Sequence, residues 1–587
     1  MIKKTNTHIV CYLFFFISFL TITAKTECQE SFGEKLYDNH CSDCHSLNLR
    51  GSAHGSSLIG KDFISKWDKD QFNGLFEYTK ENMPPGKVGS LDNEELLEIH
   101  NYILTSNDVS NNDGFVSFSD PSTIDQPEDR ISNFKNKSLK SFKNITLQNI
   151  NYPPDSDWLS WRRTTDGKGY SPLKIINTKN IKNIKLSWSL TMNEGSNQIT
   201  PIVSQGIMFL TSPGNIIQAL DAKNGELIWE YRYPFPKASK TLGGPTRNIA
   251  VYEDKIFLAT YDAHLIALNI RTGKLIWKTK KANYEDGYTH TSGPIIANGV
   301  VISGINGCER YIKEGCFITG HDPDTGEEIW RTSSIAQPDD KYGYTWGETP
   351  SVFRAGGDTW IPGSYDPKLN LFFIGTSQAK PWVAASRGMT PKNSALYTNS
   401  TLALNPNNGK LEWFFQHIPG ETIDMEVGFE RVLIERKNKN YLFTVGKDGI
   451  LWKIDSETGD FIKLLETVNQ NIYEKIDYKT GKLSYRDDIL NSKIDKAFSV
   501  CPGIYGGHNW QAISYDETTS SLIIPLHQLC ADMIGRKVER VEGSGGFGAD
   551  SKSYPLPDAN GKIGKLISVN IDKMKINWTH EQEAMFL

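Results

Sequence analysis

Four short stretches of this chain are copies of one another: "LDAKNGELIW" at 220–229, "LNIRTGKLIW" at 268–277, "HDPDTGEEIW" at 321–330 and "LNPNNGKLEW" at 404–413. Two looser copies follow, "IDSETGDFIK" at 454–463 and "VNIDKMKINW" at 569–578. Each reads as a strand, a tight turn carrying Asp or Asn, with Gly in five of the six, and a second strand. Five of the six end in Trp. Glycine supplies the positive φ that such turns need. Trp229 and Trp277 stand 48 residues apart, and Trp277 and Trp330 stand 53 apart. A period of this size, with several short strands in each repeat, predicts the blades of a β-propeller. The 83 residues between Trp330 and Trp413 mark insertions between blades, where a propeller builds a site.

The chain has 587 residues, enough for a small domain beside a large all-β one. Aromatic residues make up 11%, with 49 Gly and 14 Trp, which suits a turn-rich β protein. The net charge of −5 and a pI of about 6.2 argue against a nucleic-acid partner.

Upstream of the repeats, "NHCSDCHSLN" (39–48) contains C-x-x-C-H, the attachment signature of a c-type haem. Cys41 and Cys44 would bond the porphyrin, and His45 would be an axial iron ligand. No second cysteine pair follows nearby to complete a zinc site. In "NMPPG" (82–86), Met83 precedes two prolines and is the expected sixth ligand, with His54 and His100 as competitors. "LDNEELLEIHNYILTSN" (91–107) predicts a closing amphipathic helix. Residues 25–107 therefore read as an all-α cytochrome c domain. Residues 108–155, rich in Ser, Asn, Asp and Lys, read as a linker. The propeller is expected over 156–587.

Residues 1–24 read as an export signal. Lys3 and Lys4 precede the apolar run "IVCYLFFFISFLTIT", and Ala24 stands at a plausible cleavage point. No later segment resembles a membrane span. The mature protein is expected in the periplasm, where thiols oxidise. Cys308 with Cys316 and Cys501 with Cys530 are the possible disulfides by proximity, with Cys28 left over.

The Trp repeats resemble the pyrroloquinoline quinone (PQQ) dependent alcohol dehydrogenases, which are eight-bladed propellers. The segment "WRRTTDGKGYSPLKIINTKNIKNIKLSW" (161–188) strengthens the likeness. A cytochrome c domain ahead of the propeller resembles the polyvinyl alcohol dehydrogenases. The resemblance implies a quinohaemoprotein that oxidises a primary, secondary or polymeric alcohol. Its electrons would pass through the haem to a soluble cytochrome c or another respiratory acceptor.

The resemblance also assigns residues. In "SGINGCERY" (303–311), Glu309 matches a metal ligand, and Asn306, Gly307 and Cys308 match residues lining the quinone. In "GGDTWIPGSYDPKLNLFFIGTSQAKPW" (356–382), Trp360 matches the quinone's floor, and Gln378 stands where the family has an Asn metal ligand. In "HIPGETIDMEVGFERV" (417–432), Asp424 matches the general base. Glu426 matches an extra carboxylate that lanthanide-using members carry. Both are expected near the metal, with Ca²⁺ preferred and a lanthanide the alternative. Lys447 in "VGKDGILWKID" would lie near the quinone oxygens. Arg247 and Thr260 would bind the cofactor's carboxylates, and Gln198 in "NQITP" takes a position often held by Glu. Asn509 and Trp510 in "CPGIYGGHNWQAISYD" (501–516) match a further cofactor loop, and Cys501 with Cys530 match a family disulfide.

Two departures stand out. "SKTLGG" (239–244) has no adjacent cysteine pair where several family members carry one. The chain stops at "WTHEQEAMFL", soon after a blade motif, so a final blade or blades are expected to be incomplete. An aldehyde or sugar substrate is a second expectation open at this point, and a non-enzymatic haem-propeller scaffold a third.

Overall fold

A computed structural model describes residues 32–45, 49, 57–67, 72–84, 90–107, 132–133, 139–193, 195–234 and 244–586. The segment read as an export signal, the competing ligand His54, Cys28 and most of "SKTLGG" lie outside the described residues.

The N-terminal part is helical: Phe32–His40, Ser42–His45, Lys61–Lys66, Phe72–Asn82 and Asn93–Thr105. Asp92 starts the last of these. Its carboxylate accepts from Glu94 and Glu95, while Glu95 reaches back to the Asp92 amide. Such a capping box satisfies helix-end amides that have no partner within the helix. Leu36, Tyr37, Leu96, Ile99 and Ile103 pack in one cluster that joins the first helix to the last. The helices cross closely, for a Cβ on Gly33 would lie 2.3 Å from the Glu98 carbonyl oxygen. Among the described residues no helix is long and apolar enough to cross a membrane.

The rest is a β-propeller. The described residues form five four-stranded antiparallel sheets and one five-stranded sheet in blade order. Each motif copy makes the third and fourth strands of one blade. The same β-bulge recurs where they meet, between Ala219 and Leu220, Ala267 and Leu268, and Gly320 and His321 in the first three blades. The Trp that ends one blade lies on the glycine turn of the next. Trp229 lies against Gly273 and Trp277 against Gly326, where an added Cβ would stand 2.7 and 2.5 Å from the indole. The indole N–H groups donate to Ile270 and Pro323 carbonyls at 3.1 and 3.0 Å. Both glycines have φ near +70° and cannot be replaced without strain on two counts.

Part of the expected linker belongs to this body. Leu139, Phe142, Ile145 and Ile150 are buried in the same core cluster as Phe209 and Trp229. The Arg271 guanidinium donates to the Phe142 carbonyl at 2.7 Å. Ser132–Asn133 pairs as a fifth strand with Leu227–Arg232.

Antiparallel order sends every second connection to the same rim. The turns of the motif copies lie on one rim. The connections from second to third strand, and from one blade to the next, lie on the other. Every propeller residue expected in the site falls in a connection of this second kind or, for Gln198, in the segment leading into the first blade.

Candidate active site

On the haem side, the Cys41 amide donates to Tyr37 O at 2.8 Å and the His45 amide to Cys41 O at 2.9 Å. The signature is thus wound on one helical turn, with both thiols and the imidazole half-buried. Cys41 borders the apolar cluster. Burial, followed by the neighbouring Cys44, pushes its thiol up to about 12. Two thiols and an imidazole against an apolar wall are a donor set that fits a covalently held haem. Met83 is half-buried just after the helix Phe72–Asn82. His100, on the last helix, has a buried Nε2 without a hydrogen-bond partner and faces Phe76 edge-on at 6.0 Å.

On the propeller, Asp424, Glu426, Gln378, Lys447 and Trp360 meet. Lys447 Nζ donates to Asp424 Oδ2 at 2.8 Å and to Glu426 Oε1 at 3.0 Å, with all three side chains buried. Trp360 Nε1 donates to Glu426 Oε2 at 2.6 Å. Gln378 Nε2 donates to Asp424 Oδ1. Glu426 therefore faces inward. The Arg247 guanidinium lies over the Trp360 ring, 4.5 Å from its centroid. Phe429 meets that ring edge-on, and Trp510 joins the same cluster.

The electrostatics follow from burial. Loss of solvent pushes the Asp424 carboxyl up, against the pull of Lys447. It would raise Glu426 too, but Lys447, Lys380 and the Trp360 N–H hold Glu426 below the usual range. Burial would also discharge Lys447, but its two carboxylate partners prevail and hold it charged. Burial draws Arg247 down to about 9.

The Glu309 loop is tied to this centre. Cys308 and Cys316 form a disulfide, as do Cys501 and Cys530. The amides of Gly307 and Cys308 donate to Asp358 Oδ1 at 2.9 and 3.1 Å. Burial first, and then repulsion from Glu309, push Asp358 up. Glu309 is half-buried, and among the described residues no hydrogen bond or ion pair holds its carboxylate. Asn306 accepts from the Thr291 amide, and Asn509 caps the Trp510 amide. The Thr260 hydroxyl donates to Asp262 at 2.5 Å.

Among the described residues, Gln378 Oε1, Arg247 Nε and Gln198 Oε1 are buried without a hydrogen-bond partner. Such atoms are rare in folded proteins and call for a ligand. An amide oxygen among carboxylates suits a hard cation. A buried guanidinium beside an indole suits a planar anion. The residues present thus fit both a metal ion and PQQ.

Sequence reading passed over Asp358, Lys380 and Glu421, although all three lie inside the stretches quoted above. A buried charge carries no mark in sequence. Only the neighbours that the fold brings to it reveal its task.

A propeller with buried carboxylates, a lysine and an indole gathered on one rim is the architecture of a quinoprotein. The family described as "Glucose/ethanol/alcohol dehydrogenase, beta-propeller domain" matches residues 158–472, more than half of the chain, and the chain belongs to this PQQ family. Residues 30–103 match "Cytochrome C oxidase, cbb3-type, subunit III".

The chain is 31% identical to the quinohemoprotein alcohol dehydrogenase ADH-IIG of Pseudomonas putida, over 64% of this chain and 55% of that protein. It is 31% identical to the dehydrogenase subunit of the alcohol dehydrogenase (quinone) of Gluconobacter oxydans, over 70% of this chain and 56% of that one. It thus spans little more than half of these relatives. The solved structure of ADH-IIG superposes with a TM-score of 0.68 at 28% identity, covering 75% of this chain and 69% of that one.

Proposed function

We propose that this chain oxidises an alcohol as a periplasmic quinohaemoprotein dehydrogenase. The observation that carries the reading is the buried Asp424, held by Lys447 and Gln378 beside the indole of Trp360. The two disulfides support an oxidising compartment. The named activities of the relatives favour an alcohol over an aldehyde or a sugar.

When bound, PQQ supplies a planar two-electron acceptor, the metal ion a Lewis acid, and the haem a one-electron exit toward a soluble cytochrome or other respiratory acceptor. Trp360 offers the flat π-surface on which a planar ring rests. Its tilt is set by Glu426 at the indole N–H. Arg247 holds an anionic group of the cofactor through its unpaired Nε. Glu309, Gln378, Asp424 and Glu426 hold the cation; Ca²⁺ is the preferred ion and a lanthanide the alternative.

Asp424, held at Oδ2 by Lys447 and at Oδ1 by Gln378, takes the substrate's hydroxyl proton. Lys447, fixed and charged, steadies negative charge without having to reorganise.

The test is the purified chain loaded with PQQ and either Ca²⁺ or La³⁺, with haem reduction followed on adding alcohols, aldehydes and sugars. Alcohols should reduce the haem. Asp424→Asn should still bind PQQ while alcohol-dependent reduction falls by about a hundredfold or more. Failure of every substrate class in the wild type would favour a non-enzymatic scaffold.

A further inference from the structure

Three residues before Asp424, the side chain of Glu421 is buried, with the residue 3% exposed. Its Oε1 accepts three consecutive amides: Ile423 at 2.5 Å, Asp424 at 2.6 Å and Met425 at 2.9 Å. Successive N–H groups closing on one anionic oxygen form a backbone nest. Here the anion comes from the chain itself. The nest coincides with a left-handed residue, for Asp424 has φ +125°. A non-glycine residue in such a conformation costs on the order of 1–3 kcal/mol and persists only where its surroundings over-determine it. The second oxygen, Oε2, is buried without a partner, so the carboxylate spends its bonding on this turn.

Arg387 stands behind it, fully buried. Its Nη2 donates to the Glu421 carbonyl at 2.6 Å. Its Nη1 donates to the Pro381 and Trp382 carbonyls at 2.5 and 2.6 Å. One guanidinium thus ties the turn bearing Asp424 to the stretch that follows Gln378.

Resting on the reading of Asp424 as the base, we propose that Glu421 is the positioning residue that aims Asp424 at Gln378 and Lys447. It touches neither substrate nor cofactor. It acts by pinning the backbone from which the Asp424 carboxylate projects. A misplacement of about 1 Å at such a group costs on the order of a hundredfold in rate.

The experiment compares wild type with Glu421→Gln and Glu421→Ala in the full chain, loaded with PQQ and Ca²⁺. The glutamine keeps the shape, but its amide oxygen is a weaker acceptor and its NH₂ replaces an oxygen that has no hydrogen-bond partner. In Glu421→Gln, kcat should fall about tenfold or more while the alcohol KM and PQQ Kd stay within about threefold. Deuterium exchange at the amides of residues 423–425 should quicken about tenfold, with the blade strands unchanged. Glu421→Ala should move the same readouts further.

Wild-type kcat in Glu421→Gln would overturn the proposal. So would a loss of kcat accompanied by weakened PQQ binding and faster exchange across the blades, which is the signature of general unfolding. If the wild type reduces no haem with any alcohol, the dehydrogenase reading fails on its own. The exchange measurement then decides: unchanged rates at 423–425 in Glu421→Gln overturn the proposal, and local quickening sustains Glu421 as the pin of the Asp424 backbone.

Discussion

Trp360 and Glu426 are joined by a 2.6 Å hydrogen bond from indole N–H to carboxylate, and Glu426 receives Lys447 on its other oxygen. One carboxylate therefore orients the Trp360 indole and adds negative charge to the proposed cation site. Glu426→Gln should weaken La³⁺ binding more than Ca²⁺ binding, by about tenfold against about threefold, because the loss of one charge counts more against a trivalent ion. Titration calorimetry with each ion measures the ratio, and equal losses would place Glu426 outside the cation's reach.

Lys447 pairs with two buried carboxylates at once. Lys447→Met should lower stability by about 3–5 kcal/mol, the range for removing one partner of a buried ion pair. Added Ca²⁺ or La³⁺ should restore part of the loss. Thermal melts with and without the ions report both effects, and an unchanged melting temperature would contradict them.

Asp262 supplies a pH prediction. Burial pushes its carboxyl up, but bonds from His264, Thr260 and Tyr233 outweigh burial and bring it to about 2. A carboxyl lowered by folding contributes stability above its unfolded pKa of about 3.9, and that stability is lost as pH falls toward the folded value. Tyr233 donates to Asp262 at 2.7 Å. Tyr233→Phe should therefore cost about 1–2 kcal/mol at pH 7, with the gap to wild type closing between about pH 4 and pH 2. Urea unfolding across that range measures it, and a gap independent of pH would contradict it.

Gly273 tests the docking of one blade on the next. Gly273→Ala meets both a left-handed φ of +70° and the Trp229 ring at 2.7 Å. Gly206→Ala meets only the left-handed φ, since nothing lies within 4 Å of its added Cβ. The first should cost about 2–4 kcal/mol and the second about 1. Equal costs in unfolding experiments would mean that the indole contact contributes nothing.

The propeller was legible because its repeat is local. Strand, glycine turn and Trp lie within ten residues, and each quoted copy became the outer half of a blade. A further copy, "IDYKTGKLSY" at 476–485, was passed over. It forms a separate hairpin whose Gly481 lies under Phe461. The closing helix was legible from its period and its Asp92 cap. Leu139, Phe142 and Ile145 were not, because their apolar partners lie on distant strands and a polar neighbourhood hid them. The candidate site was legible where a motif surrounds a residue, as at Trp360, Asp424 and Lys447. Glu426 was legible as a carboxylate but not in direction. That the Thr260 hydroxyl donates to Asp262 was not legible, because the pairing depends on how the connection folds. Glu421 escaped because three amides folding onto one oxygen is a fact of conformation.

The indole-on-glycine contacts and the chemistry occupy opposite ends of the same strands. Mechanical continuity between blades is carried by motif turns that hardly vary in length. The connections at the other end include both the four residues 446–449 and the forty-seven of 467–513. A lineage of such proteins can therefore rewrite its substrate face by insertion without disturbing the coupling that keeps the blades in file. Drift in the docking turns has no such freedom, because each one is read by the blade before it.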